Sequence, residues 1–296
     1  MRQTLANRLL YLLIVGVLEA LARLPRPLGY WLGARFGDVA YVCLRRRRRI
    51  TLENLALAFG GEKSLAERRR IARATFRHLG QHLIDFSHLG HSAQAFASMC
   101  RVEGLEHIQA LLERRAGLLI ISAHFGSWEL SSAVAPQFPA PLHVIVRPLD
   151  NPALQRLTED YRHAAGYRTI PKREALATCL KVLRQGEIVA LLMDQSSLRR
   201  ESVPVEFFGV SAYTPMGPAL LALRARCPVV SGFLICEGPG RHRLVFSPEI
   251  PVQRTGNLQQ DIVVTTQAFT RIIETYVRRY PEQWFWLHRR WKRRSP

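Results

Sequence analysis

The sequence predicts an α/β fold in which a largely parallel sheet is flanked by helices. From residue 117 onward, apolar runs of strand length alternate with stretches of helical length. This alternation favours parallel pairing, because each helix returns the chain to the edge of the sheet where the next strand begins. Three of the apolar runs end in an ionisable residue, at the edge where open α/β sheets bind ligands. A helical amino-terminal segment precedes the sheet.

The first 49 residues are predicted to form a helical, membrane-associated segment. Residues 9–22 are apolar apart from Glu19 and, at ~1.5 Å per residue, span about 21 Å of a hydrocarbon core that is ~30 Å thick. They predict an uncleaved anchor or an interfacial helix, with a cleaved secretory signal as the alternative. A second amphipathic stretch, residues 28–44, leads into Arg45 to Arg49. A basic run beside an apolar segment favours contact with anionic lipid headgroups.

Residues 50–296 are predicted to form one domain, with a helical scaffold over 50–115 and an α/β part over 116–296. Ser64 and Glu67 form a capping box at the start of an amphipathic helix that ends near Leu89. His78 and His82 lie four positions apart, which is a spacing that can bind a metal ion. We predict both histidines to be structural, because we identify no carboxylate or thiol that completes a metal site with them.

The α/β part contains three predicted central strands and several helices. The strands are expected over 117–123, 143–147 and 188–193, and helices over 127–135, 152–165, 175–184 and from Thr214 to Arg226. In the last of these helices, Thr214 is expected to be the cap and Pro215 the first helical residue. A hairpin over 229–236 and 243–247 and a helix over 258–279 complete the body.

The composition favours polyanionic partners and a reducing compartment. Lys and Arg total 42 against 23 acidic residues, which gives a net charge of +19. Such a charge favours nucleic acid, an anionic membrane, or acidic proteins and phosphorylated substrates. The five cysteines are scattered and form no C-x-x-C pair, which argues against a disulfide framework and against a zinc site.

Three strand ends carry residues that could perform chemistry: His124, Arg147 and Asp194. The carboxyl ends of parallel strands meet at one edge, so the three are expected to line one crevice with Glu129 near its floor. A neutral imidazole can take a proton from a hydroxyl that attacks a carbonyl, and a carboxylate on the other ring nitrogen fixes the tautomer. His124 is the candidate general base and Glu129 its candidate partner, and a structural histidine is the alternative. No G-x-S-x-G segment is present, so direct attack by a substrate hydroxyl is favoured over a covalent serine intermediate.

Several short motifs occur along the chain. The first is a His-x-x-x-x-Glu motif, His124-Phe-Gly-Ser-Trp-Glu129. The others, in chain order, are Arg49-Ile-Thr-Leu-Glu-Asn54, Ala58-Phe59, Arg147-Pro-Leu-Asp-Asn-Pro152, Tyr161-Arg162, Leu192-Met-Asp-Gln195, Val205-Glu-Phe-Phe-Gly209 with Thr214, and Phe285-Trp-Leu-His-Arg-Arg-Trp-Lys292. Together these motifs resemble those of the lipid A biosynthesis lauroyl/myristoyl acyltransferases, within the lysophospholipid acyltransferase superfamily. The resemblance covers about residues 5–294 in the family's order.

The resemblance implies an enzyme at the cytoplasmic face of the bacterial inner membrane. It would move a fatty acyl chain from acyl carrier protein to a hydroxyl of an acylated, phosphorylated glucosamine disaccharide. His124 would be the base and Glu129 its partner. Substrate-binding roles would fall to six further residues: Arg147, Asn151, Arg162, Asp194, Arg289 and Arg290. Neither a cofactor nor a metal ion is expected, and the net charge suits an acidic carrier protein, a phosphorylated acceptor and anionic membrane lipids.

Other functions remain open at this point. An acyltransferase of the same fold could act on another glycolipid or on an amino-acid-containing lipid. A basic nucleic-acid-binding protein would share the charge, but residues 9–22 are apolar and no nucleic-acid motif is present. A metal-dependent hydrolase lacks a second ligand in the His124 motif. Trp284, Trp286 and Trp291 fit either interfacial anchors or ordinary core packing.

Overall fold

The computed structural model describes residues 5–89, 100–149 and 151–291. Its amino-terminal part contains four helices: α1 (Leu5–Ala22), α2 (Arg26–Cys43), α3 (Arg45–Phe59) and α4 (Leu65–Leu89). The predicted capping box opens α4, since Glu67 accepts from the backbone N–H of Ser64 at 2.8 Å and its own N–H donates to Ser64 Oγ at 3.2 Å. None of the described helices combines the length and apolarity needed to cross a bilayer.

Helices α2 and α4 approach so closely that their backbones touch. A side chain at Gly33 or Gly37 would meet the carbonyl of Gly80 or of Phe76 on α4. Glycine at both places therefore permits the contact, which a larger side chain would block. Helix α4 of this pair also packs against residues 128–137 beside the sheet.

The central sheet has seven strands and is mostly parallel, as predicted. Its spatial order is β1 (Cys100–Glu103), β9 (Arg241–Phe246), β8 (Val229–Gly238), β2 (Leu118–Ser122), β5 (Ile188–Leu192), β3 (Leu142–Val146) and β4 (Arg168–Pro171). The one antiparallel pair, β8 with β9, is the predicted hairpin. Strands β6 (Ser202–Phe207) and β7 (Val210–Pro215) form a separate antiparallel hairpin.

Helices cover both faces of the sheet. One face packs against α7 (Ala175–Arg184), α8 (Gly217–Ala225) and α9 (Leu258–Arg279), through sheet residues such as Ile121 and Val189. The other packs against α5 (Leu105–Leu112) and the segment Trp128–Gln137, through Leu118 and Ile120. Helix α6 (Pro152–Ala164) connects β3 to β4. Alternate residues of each strand thus point to opposite apolar layers, which explains the continuously apolar runs.

Several sequence expectations differ from the structure. Residues 127–135 were expected to be α-helical, but Trp128–Gln137 is a 3₁₀ helix that contains Pro136. Thr214 and Pro215 belong to β7 rather than to a helix start, and α8 begins at Gly217. Strands β1, β4, β6 and β7 were not predicted; β1 and β4 have four residues each, and β6 and β7 form a hairpin outside the central sheet. The apolar alternation of a four-residue strand is too brief to be distinguished from a loop.

Candidate active site

The turn after β2 places His124 at the carboxyl edge of the sheet. Its backbone is held by the segment 283–285, since the His124 carbonyl accepts from Phe285 N–H at 3.0 Å and Gly126 N–H donates to the Gln283 carbonyl at 2.9 Å. Gly126 has φ +59° and lies against the Leu234 carbonyl, with no room for a Cβ atom. Only glycine fits this turn without strain.

Asp194, at the end of β5, is the carboxylate that faces His124. Its Oδ1 lies 2.8 Å from His124 Nδ1, and its Oδ2 accepts from Trp284 Nε1 at 2.8 Å. The Asp194 side chain is 1% exposed, whereas that of His124 is 25% exposed. Because Asp194 is an acceptor, the arrangement assigns the proton of the neutral imidazole to Nδ1 and leaves Nε2 as a base.

Electrostatics couple the two groups. Burial opposes the charge on His124, but the Asp194 carboxylate outweighs it and holds the pKa of His124 above its ordinary value of 6.5. Burial likewise opposes ionisation of Asp194, but the charge of His124 and hydrogen bonds from His124 and Trp284 hold the pKa of this carboxyl below its usual range. The pair is therefore built to stabilise an imidazolium.

Glu129 makes a different contact from the one expected. The carboxylate bonded to His124 Nδ1 is Asp194, so the expected pairing of Glu129 with that nitrogen is corrected. Instead, Arg162 Nη2 on α6 donates to the two carboxylate oxygens of Glu129 at 3.3 and 3.4 Å. The 3₁₀ helix turns Glu129 toward α6, whereas β2 and β5 pair directly and bring Asp194 beside His124.

A cavity of about 290 Å³ opens beside His124. His124, Glu129, Arg147 and Arg162 contribute its ionisable lining. Most of the remaining lining is apolar and comes from the sheet and the elements over it: Ile120, Trp128, Phe138, Leu142, Val144, Ile145, Val146, Leu149, Tyr167, Ala190, Leu191, Leu192, Gly232, Leu244 and Phe246, with Ser122 and Ser131. The arrangement can hold an apolar chain with its reactive end near a histidine.

The other predicted binding residues lie outside the lining of this cavity. Asn151 caps α6, since its Oδ1 accepts from the N–H groups of Ala153 and Leu154. Arg289 is exposed. Arg290 is buried, donates to the Tyr213 carbonyl at 2.8 Å and to Thr214 Oγ1, and thereby fastens the carboxyl-terminal segment to β7.

The three carboxyl-terminal tryptophans are core residues. Trp284, Trp286 and Trp291 are all buried, and their rings pack on one another and on Phe207. Interfacial anchoring by these rings is therefore wrong, and core packing is correct. Trp284 also bonds Asp194, so this packing holds a site residue in place.

A buried polar network lies behind the turn and was overlooked in the sequence. Asp85 on α4 accepts from Ser127 Oγ at 2.6 Å and from the Tyr30 hydroxyl, and it faces His242 Nε2 at 3.4 Å. His242 Nδ1 in turn lies 3.5 Å from Cys236 Sγ. Burial opposes a charge on His242, but its bond to Asp85 raises the pKa to about 10. The network ties Ser127, inside the His-x-x-x-x-Glu motif, to helices α2 and α4.

The same network contains the candidate metal ligands among the described residues. Atoms of Asp85, Cys236 and His242 lie within 4.8 Å of one another. His242 presents one ring nitrogen to Asp85 and the other to Cys236, so a single ion could not bind all three without turning the ring. The geometry therefore fits a hydrogen-bond network better than a metal centre.

Comparison with known families identifies the chain. The family model described as bacterial lipid A biosynthesis acyltransferase matches residues 2–293, nearly the whole sequence. The chain belongs to this family. It is therefore an acyltransferase, and the predicted resemblance is confirmed.

Three named acyltransferases resemble the chain, over 63% to 95% of its length. It is 30% identical to the lipid A biosynthesis lauroyltransferase of Escherichia coli, over 95% of this chain and 90% of that protein. It is 28% identical to the lipid A biosynthesis palmitoleoyltransferase of the same organism, with the same coverage. A phosphatidylinositol mannoside acyltransferase of Mycolicibacterium smegmatis is 25% identical over 63% of this chain and 60% of that protein.

Of the buried polar network, only Asp85 could have been recognised from the sequence alone. Asp85 lies three positions after His82 on the α4 pattern, so a carboxylate near the histidine pair was visible. Its partners Tyr30, Ser127 and His242 are 55, 42 and 157 positions away along the chain. No local spacing connects such residues, and the tertiary fold alone brings them together.

Proposed function

We propose that this protein transfers a fatty acyl chain from acyl carrier protein to a hydroxyl of an acylated, phosphorylated lipid A precursor. The observation that carries the proposal is the His124–Asp194 pair beside a largely apolar cavity. Family membership gives the reaction class. The pair gives a base, and the cavity gives a place for the acyl chain.

His124 Nε2 acts as the general base. It takes the proton of the acceptor hydroxyl as that oxygen attacks the thioester carbonyl, which forms a tetrahedral intermediate. The intermediate collapses, the carbon–sulfur bond breaks, and the departing thiolate takes the proton back from the imidazolium. Asp194 holds the ring by Nδ1 and stabilises its positive charge in between.

The charged groups around His124 orient the two substrates. Glu129 and Arg162 form an ion pair in the cavity lining, so Glu129 fixes the guanidinium of Arg162 beside the reacting groups. Arg147 is exposed in the same lining. Both arginines suit a phosphate of the acceptor or of the carrier's prosthetic arm, because guanidinium groups match phosphate geometry. Glu129 is thus proposed as a catalytic residue that acts together with Arg162.

The apolar part of the cavity receives the acyl chain. Each methylene group buried there contributes ~0.8 kcal/mol, so the chain supplies binding energy that holds the thioester carbonyl near His124. Ala190 on the central strand β5 leaves room over the sheet, and Leu142 and Val144 on β3 line one side. The depth of this channel is the feature that would select chain length.

The amino-terminal segment, residues 1–49, supports residence at the inner membrane. Helices α1 and α2 expose Leu9, Leu13, Trp31 and Val39. Arg45 to Arg49 open α3 directly after these helices, and four of the five are exposed. An interfacial helix pair with adjacent basic residues suits the cytoplasmic leaflet, where the surface is anionic.

The proposal is tested with purified His124→Ala and Glu129→Ala variants, assayed with acyl carrier protein thioesters and a lipid A precursor. Each variant is expected to lose roughly 10²-fold or more in turnover, His124→Ala because the base is lost and Glu129→Ala because Arg162 loses its partner, while thermal unfolding stays near wild type. His163→Ala is the matched control, because that histidine lies on α6 and is 60% exposed. Near-wild-type turnover by His124→Ala would refute the assignment.

A second acceptor class is favoured by one specific observation. The mycobacterial relative is named for a phosphatidylinositol mannoside, which is a glycolipid but not lipid A. Mass spectrometry of lipids from cells with and without this protein separates the two candidates. Loss of one acyl unit from lipid A supports the proposal, and loss from another glycolipid replaces the acceptor while keeping the reaction.

A further inference from the structure

Five basic side chains surround the outer edge of the sheet near the candidate site. They are Lys172 and Arg173 after β4, Arg199 and Arg200 after β5, and Arg289 near the carboxyl end, and together we call them the basic rim. All five are exposed. The side chain of Lys172 is 61% exposed and that of Arg200 is 82% exposed.

Contacts between the supporting residues show that the rim is one surface. Lys172 Nζ and Arg200 Nε each lie 3.8 Å from the Glu201 carboxylate. The guanidinium of Arg199 lies over the Tyr213 ring, 5.3 Å from its centroid, and Ser196 Oγ donates to the Arg289 carbonyl at 3.3 Å. Three segments that are distant in sequence therefore meet beside the end of β5.

Lys172 and Arg173 of the rim lie on the other side of the sheet from α1. Lys172 and Arg173 lead directly into α7, which packs on the face opposite the cavity. Helix α1 instead packs on α6, whose Arg162 lines the cavity, and Asn151 Nδ2 at the start of α6 donates to the Asn7 carbonyl at 3.4 Å. A lipid acceptor that arrives along α1 and α2 would reach His124 from the cavity side. Lys172, Arg173, Arg199 and Arg200 are exposed to a partner that arrives from the aqueous side. Arg289 lies two positions after Leu287, whose carbonyl accepts from Arg47 on α3.

We propose that the basic rim is the docking surface for the acidic carrier protein that delivers the acyl thioester. This inference rests on the proposed function. Opposite charges steer such a partner toward the site, and exposed rim charges act chiefly on the rate of encounter. Leu198, which is 57% exposed between Ser197 and Arg199, adds an apolar contact among the charges, as protein interfaces combine an apolar centre with a polar rim. Asp194 lies five positions before Arg199, so at most ~17 Å of chain separates this part of the rim from the reacting groups.

The test compares two charge-reversed double variants of the full-length protein. Arg199→Glu/Arg200→Glu changes the rim, and Arg69→Glu/Arg70→Glu changes two exposed arginines on α4 by the same charge. At low salt, the KM for the acyl carrier protein thioester is expected to be about tenfold or more higher in the rim variant than in wild type. At high salt, the two KM values should lie closer together, because salt screens the charges. The rim variant's KM for the lipid acceptor and its binding to anionic vesicles should stay at wild-type values. The α4 variant should match wild type in all three measurements.

Two results would contradict the proposal that the basic rim is the docking surface. One is an unchanged donor KM in the rim variant with thermal unfolding like that of wild type. The other is a selective loss of acceptor or vesicle binding, which would assign the rim to lipid phosphates. A second pair, Lys172→Glu/Arg173→Glu, repeats the measurement should the first variant unfold. Failure of the wild-type enzyme to use the carrier-bound donor would instead refute the proposed function itself.

Discussion

His124 and Asp194 are separated by 70 positions in the chain, yet their side chains meet at 2.8 Å. The contact depends on strands β2 and β5 being parallel neighbours, which brings their carboxyl ends together. Trp284 completes it by donating to the second oxygen of Asp194. At this scale the site is a histidine whose tautomer and charge are set by one buried carboxylate.

Removing the Asp194 charge is expected to change the pH profile as well as the rate. The pKa of His124 lies above its ordinary value because of Asp194, so in wild type kcat/KM should rise with pH until the imidazole is neutral. In Asp194→Asn the contributions of the Asp194 charge and hydrogen bond are lost, and burial, which lowers the pKa of His124, is opposed only by the smaller contribution of the Glu129 charge, so the midpoint should move to lower pH. The plateau should also fall by roughly 10²-fold or more, because an amide does not enforce the Nδ1–H tautomer. Turnover measured from pH 5 to 9 checks both effects.

Trp284→Phe is the matched control for that experiment. It removes a hydrogen bond to Asp194 but keeps the carboxylate charge, so the midpoint should stay near the wild-type value. An Asp194→Asn midpoint equal to that of wild type would show that another group controls the pH profile.

The raised pKa of His124 also makes the stability of the fold depend on pH. The raised pKa of His124 contributes stability below pH ~6.5 that is lost as pH rises through the folded-state value.

At the scale of elements, the site depends on a turn clamped from two sides. The segment 283–285 holds its backbone, and Asp85 on α4 holds Ser127. Gly126 sits between these supports with φ +59° and contacts the Leu234 carbonyl of β8. The clamp explains why the motif contains glycine, and it links the amino-terminal helices to the candidate site.

Gly126→Ala is therefore expected to lower the free energy of unfolding by more than its left-handed backbone conformation alone would explain. Gly209 offers the matched control, because its φ is +68° and nothing lies within 4 Å of a Cβ there. Gly209→Ala should cost ~1–2 kcal/mol of unfolding free energy from the left-handed conformation alone. Gly126→Ala should cost more and should also lower turnover, because the Leu234 carbonyl must move. Thermal unfolding and acyl transfer are measured for both variants. Equal losses of stability would show that the contact with Leu234 does not matter.

At the scale of the whole molecule, exposed large apolar side chains are concentrated on α1 and α2. Arg45 to Arg49 follow these helices directly. Lys172 and Arg173 of the basic rim lead into α7, on the sheet face opposite the cavity. In the proposed function, the amino-terminal helices serve the lipid acceptor and the basic rim serves the acidic carrier protein.

The exposed apolar residues of α1 and α2 and the arginines Arg45 to Arg49 are both expected to contribute to membrane binding. Leu13→Gln/Trp31→Gln should weaken sedimentation with anionic vesicles, because both side chains are exposed on the helices proposed to lie in the interface. Raising the ionic strength should weaken wild-type binding too, since each basic residue near the surface contributes ~1 kcal/mol. Leu258→Gln, at an exposed apolar position on α9, is the control and should bind as wild type. Undiminished binding by the double variant would exclude α1 and α2 as the contact.

The sequence by itself determined the reaction class and the frame of the fold. The parallel sheet follows from local apolar runs, and the family follows from short motifs spread along the chain, so neither needs knowledge of distant contacts. His124 was predicted for the same reason, since it ends an apolar run at the edge where ligands bind. Strands as short as β1 and β4 lack enough alternating residues to be recognised in this way.

Only the tertiary structure decided which partner each candidate residue has. Glu129 is near His124 in sequence, but the 3₁₀ helix directs it to Arg162, while Asp194 reaches the imidazole through strand pairing. The tryptophans at the carboxyl end show no burial signal in their basic surroundings, and packing alone placed them in the core. Side-chain partners depend on contacts between segments far apart in the chain, and no local spacing encodes those contacts.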